Sequence, residues 1–97
     1  MIEYIYDVIR AVAGQDCCVQ AEITDELNEP ITEGCCLVLH DEEGDMLFMV
    51  DGIYSAESGL WEFAISGELS KGLKGKYKYC VQHNGVNMCF TEPFYWV

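Results

Sequence analysis

The chain has 97 residues, enough for one hydrophobic core and too few for two. Hydrophobic residues make up 51%, aromatics 12%, and the mean hydropathy is +0.06, which excludes the class of chains that stay disordered for want of apolar surface. Seventeen acidic residues against five basic ones give a net charge of −12, so phosphate backbones and anionic lipid are repelled and neither nucleic acid nor a membrane is expected as a partner.

The first 14 residues carry two competing periodicities. Ile2, Ile5, Tyr6 and Ile9 fit a helical stripe, whereas Ile2, Tyr4, Tyr6 and Val8 alternate as in a strand. Tyrosine, isoleucine and valine dominate and no N-cap precedes them, so an extended N-terminal arm or first strand is favoured. No basic leader with an apolar stretch and a small-residue cleavage site is visible at the start. The expectation is a chain made in a host cytoplasm without a secretory signal.

From Cys17 onward, short β-branched and aromatic runs alternate with turn residues at the spacing of an all-β sandwich. Cys17, Val19, Ala21 and Ile23 define one face of a first such strand, and Gln20 and Glu22 the other. Asp25-Glu26-Leu27-Asn28-Glu29-Pro30 follows as a polar turn. Cys35-Cys36-Leu37-Val38-Leu39-His40 is apolar without clean alternation, the pattern of a central strand covered on both sides. Asp41-Glu42-Glu43-Gly44-Asp45 reads as a hairpin loop into Met46-Leu47-Phe48-Met49-Val50, and Asp51-Gly52 as a second turn.

In Leu60-Trp61-Glu62-Phe63-Ala64-Ile65 the large residues Trp61, Phe63 and Ile65 point one way, toward the core. Residues 66–75 hold three glycines and form a connection with one helical turn around Glu68-Leu69-Ser70. Tyr77, Tyr79 and Val81 are then inward, with Lys76, Lys78, Cys80 and Gln82 outward. Asn84-Gly85 is the favoured type I′ dipeptide and predicts a hairpin into residues 86–90. Phe94-Tyr95-Trp96-Val97 closes the sequence in strand-like residues.

Few residues offer chemistry. The six cysteines fall as Cys17-Cys18, Cys35-Cys36, Cys80 and Cys89, with no C-x-x-C; neighbours on a strand point to opposite faces and cannot both reach one metal ion, so the cysteines read as small buried hydrophobes and no metal or cofactor is expected. His40 and His83 are the near-neutral acid/base candidates. Cys80 with His83, or Cys36 with His40, lacks the orienting group and oxyanion donors that a nucleophile requires, so no catalytic residue is assigned and no enzyme is expected. The acidic loops at 25–29 and 41–45 do not follow the calcium-loop spacing and read as solvated turns. Residues 71–97 are the basic part of the chain, with Lys71, Lys74, Lys76 and Lys78 against Glu92 alone.

Three stretches carry a resemblance: Ala21-Glu22-Ile23-Thr24-Asp25-Glu26-Leu27-Asn28-Glu29-Pro30-Ile31, Leu60-Trp61-Glu62-Phe63-Ala64-Ile65, and Gly72-Leu73-Lys74-Gly75-Lys76-Tyr77-Lys78-Tyr79. In this order they resemble small Ig-like modules of bacteriophage structural proteins, and are similar to the N-terminal domain of phage baseplate upper proteins over residues 16–97. Such proteins carry more chain after this domain, which turns the expectation toward a free-standing capsid decoration or tail accessory protein. The resemblance implies a non-enzymatic virion component with no family active site.

The sequence thus predicts one Ig-like antiparallel β-sandwich of about seven to eight strands spanning residues 1–97. The expected function is contact with other phage structural subunits, of the capsid or tail, or with copies of itself. Contact candidates are Ile2, Tyr4 and Tyr6, the lysines Lys71, Lys74, Lys76 and Lys78, and the C-terminal Phe94, Tyr95 and Trp96; the two terminal stretches read equally as core strands that pair with each other, and the lysines as charges that keep a strand and its turn soluble. The competing expectation is a free-standing acidic cytoplasmic binding protein or inhibitor.

Overall fold

A computed structural model describes residues 9–87 and 92–97. Its alternating runs form β1 (Ile9–Ala11), β2 (Cys17–Ala21), β3 (Cys35–His40), β4 (Met46–Ser55), β5 (Leu60–Ile65), the helical turn α1 (Gly67–Ser70), β6 (Gly75–His83), β7 (Val86–Asn87) and β8 (Glu92–Trp96). Pairing runs along the path β1-β8-β6-β3-β4-β5-β2, with β7 on β6. The described pairings are antiparallel except that of β1 with β8, which is parallel. The result is an Ig-like, barrel-like β-sandwich.

The layers are joined within β4. Its residues 46–51 pair with β3, and residues 52–55 pair with β5. Asp51-Gly52, expected as a turn, therefore lies mid-strand, and the chain reverses later, at residues 56–59. The glycine serves close approach instead of reversal. A Cβ there would sit 2.5 Å from Phe63 Cε1 and 2.7 Å from Trp61 Cε3, so only a residue without a side chain lets β4 cross the β5 aromatics. At Asn84-Gly85 the expected reversal does form. Both residues have positive φ (51° and 82°), as a type I′ turn demands.

The core gathers the inward positions of the strands. Leu37 and Leu39 of β3, Trp61, Phe63 and Ile65 of β5, Tyr79 and Val81 of β6, and Phe94 and Trp96 of β8 are all buried. Trp61 Nε1 donates to the Ile31 carbonyl at 2.6 Å, tying the β2–β3 connection to the core. Trp96 Nε1 is buried with no acceptor among the described residues. Both faces of β3 are covered, as expected of a central strand, since Val38 on the outward face is as buried as Leu37. Cys80 stands on the outward side of β6, as the alternation gives, and is fully buried, as the reading of the cysteines gives: it pairs with Val38 in register, so the two share a small second buried layer.

The β1–β2 turn is pinned to α1. Gly14 N donates to Ser70 Oγ at 2.9 Å, and Gly67 N donates to Asp16 Oδ1 at 2.7 Å. Ser70 is fully buried, and a side chain on Gly67 would collide with the Gly14 carbonyl.

Candidate protein-interaction surface

The two acidic loops are built alike. Asp25 Oδ1 accepts from the N–H of Leu27 (2.8 Å) and Glu29 (3.0 Å); Asp41 Oδ1 accepts from Glu43 (3.0 Å) and Asp45 (2.9 Å). Each loop places a left-handed residue fourth, Asn28 (φ 62°) and Gly44 (φ 94°). The leading aspartates thus hold turns, by side-chain mimicry of a backbone carbonyl. Asp41, Glu43 and Asp45 bring carboxylate oxygens within 4.8 Å of one another at this exposed tip.

A cysteine–histidine contact exists, between residues other than the pairs considered from sequence. Cys80 Sγ lies 3.6 Å from His40 Nε2. Burial, and then the neighbouring Cys36, push the Cys80 thiol pKa up, the reverse of what an activated thiolate needs. Cys35 is pushed up to about 11, chiefly by burial. Cys35 and Cys80 fit the reading of cysteines as small buried hydrophobes, whereas Cys18 is exposed. Cys89 lies outside the described residues.

The contact candidates separate sharply. Phe94 and Trp96 are withdrawn: they are 0% and 1% exposed and stack on each other at 4.6 Å, because β8 lies between β1 and β6 and turns these two positions into the core. Tyr95, between them in sequence, points outward and is half-buried. Lys71, Lys74 and Lys76 are exposed. Lys78 is half-buried and its Nζ donates to the Glu42 carbonyl at 3.5 Å, folding it onto the acidic loop. Ile2, Tyr4 and Tyr6 lie outside the described residues.

Register assembles these side chains with one the sequence had not marked. Arg10 pairs with Tyr95, and Tyr95 pairs with Lys76, so the three stand abreast across β1, β8 and β6. Their inward neighbours Ile9, Ala11, Phe94, Trp96 and Tyr77 pack on the core, which puts all three on the outward face. The Arg10 guanidinium sits 5.2 Å from the centroid of the Tyr95 ring, in cation–π range. The ridge brings together two cations, Arg10 and Lys76, that stand far apart in the sequence. That Arg10 is the sole base of the first 70 residues was the available signal.

The outward face of β4 is different in kind. Met46, Met49 and Ile53 are 59%, 52% and 71% exposed, and Leu47 at the β-bulge is also exposed. Asp45 precedes them and Asp51 stands between Met49 and Ile53 on the same side of the strand, Met46 and Met49 lying on the part of β4 paired with β3 and Ile53 on the part paired with β5, opposite Glu62. This run of exposed apolar residues was not legible, since the run 46–50 looks equally like a buried strand.

No protein-family model matches the sequence, and no curated protein matches it. Among solved structures, the chain is similar to the crystal structure of the Lin-41 filamin domain, with a TM-score of 0.64, 11% identity, and coverage of 99% of this chain and 91% of that one. At this identity the likeness concerns the fold alone, an Ig-like sandwich.

Proposed function

We propose that this chain is a non-catalytic protein-binding module that works through its outward sheet surfaces as a structural subunit of a phage particle. The observation that carries the binding function is the presence of two unlike outward patches, the Arg10–Tyr95–Lys76 ridge and the exposed Met46, Met49 and Ile53 of β4 with Asp51 among them. Four large apolar side chains exposed on one strand exceed what solubility favours, and aromatic, arginine and methionine side chains are the types that anchor protein interfaces. The phage setting draws its support from the sequence resemblance at residues 21–31, 60–65 and 72–79.

Photo-crosslinking tests the reading. A benzophenone amino acid at Ile53 or Tyr95, in cells carrying the natural gene, should give discrete protein adducts, while the same group at the exposed loop residue Glu57 gives none. Adducts recovered in purified virions support the phage setting. Adducts with cellular proteins only would remove that setting and leave the binding function, and no adduct from either position would remove both.

A further inference from the structure

We propose that the partner of the β4 stripe is a second copy of this chain, whose Arg10–Tyr95–Lys76 ridge seats on Met46, Met49 and Ile53 with its cations against Asp45 and Asp51. The inference rests on the protein-binding reading and names the partner within it. Complementarity carries it. The stripe offers exposed apolar side chains with Asp45 at its start and Asp51 between Met49 and Ile53. The ridge offers an aromatic ring under the Arg10 guanidinium with Lys76 beside it in register, two of the five basic residues of an otherwise strongly acidic chain. Tyr95 supplies apolar contact at little entropic cost, and arginine and lysine meet carboxylates.

Net charge sets the conditions. Two copies at −12 repel at long range, but at about 0.15 M salt the screening length is about 8 Å, which suppresses that repulsion while pairs at contact distance persist. Surfaces that are mates rather than self-complementary patches allow a ring or an open chain, as well as a dimer that uses both contacts at once.

The test is light scattering behind size-exclusion chromatography at about 0.15 M salt, over concentrations up to roughly 100 µM, where a contact of micromolar strength saturates. Wild type is expected to associate. A ridge variant (Arg10→Gln with Lys76→Gln) and a stripe variant (Met49→Gln with Ile53→Gln) are each expected to weaken association at least tenfold with melting temperatures near the parent's. Mixed one to one, they are expected to regain a complex containing one of each, because the stripe of the first and the ridge of the second remain intact. Should the Arg10 change lower the melting temperature, Lys74→Gln with Lys76→Gln takes its place. A monomeric wild type, variants that associate like wild type, or a mixture that stays monomeric would each overturn the proposal. A monomer that still crosslinks to another protein through Ile53 would remove this inference alone.

Discussion

The two tryptophans occupy the same core and differ in one hydrogen bond. Trp61 gives its N–H to the Ile31 carbonyl at 2.6 Å, whereas the Trp96 N–H is buried without an acceptor among the described residues. A buried polar group left unpaired costs on the order of 1–3 kcal/mol. Trp61→Phe loses both ring volume and the bond, and is expected to destabilise by about 3 kcal/mol; Trp96→Phe loses volume but also removes the unpaired N–H, and is expected to cost about 1 kcal/mol. Urea unfolding of both variants checks the order, and equal costs would mean that the Trp61 bond contributes nothing net. Cys35 gives a pH signature of its own. Its thiol, pushed up to about 11 in the folded chain from an ordinary 9.0, ionises first in the unfolded state. The folded state therefore binds more protons between these values, and Cys35's contribution to stability, complete below pH 9, declines as pH rises toward 11. Cys35→Ala should flatten that decline in urea midpoints taken from pH 8 to 11, and an unchanged slope would assign it to other groups.

Among the elements, β4 most repays attention, because one uninterrupted strand serves both layers. Its crossing depends on Gly52, whose missing side chain leaves room for Phe63 and Trp61. Gly52→Ala forces rigid aromatic rings or the strand itself to move, and is expected to cost about 2–3 kcal/mol, a melting-temperature loss of roughly 10 °C for a domain of this size. A thermal scan that finds the variant as stable as the parent would show that β4 can shift freely. The same residue shows where sequence reading reaches its limit. Asp-Gly is a strong local turn signal, and Asn84-Gly85 obeyed the equivalent rule because a short strand could fold back beside β6. At Asp51-Gly52 the aromatics of β5, distant in sequence, decide the outcome. Alternation identified the inward residues of β2, β5 and β6 because inward and outward positions differ in type there, but it does not by itself show that the outward side at Cys80 is covered too, since that depends on what lies over β3 and β6.

At the scale of the whole molecule, the sandwich was legible because it needs only periodicity and turns, whereas the ridge was not. Arg10, Tyr95 and Lys76 meet through the parallel pairing of β1 with β8 and the register of β8 with β6, neither of which local patterns specify. Phe94 and Trp96 read both as interface aromatics and as residues of a core strand, and the flanking of β8 by β1 and β6 decides for the core. Charge acts at this scale too. The chain carries −12 overall, and the loops 25–29 and 41–45 alone hold seven carboxylates, spaced closely enough to repel one another. The unfolded chain spreads those charges apart, so folding concentrates repulsion and screening should favour the folded state. Raising sodium chloride from about 0.02 to about 0.5 M shortens the screening length from roughly 20 Å to about 4 Å and is expected to raise the melting temperature by several degrees. Lys76→Gln, which removes a cation, should lower the melting temperature at low salt and converge on the parent at high salt; Asp51→Asn should do the opposite. If the temperature is instead flat in salt, contacts between the cationic ridge and its surroundings already balance the acidic loops, and the ridge would have less free charge to offer a partner.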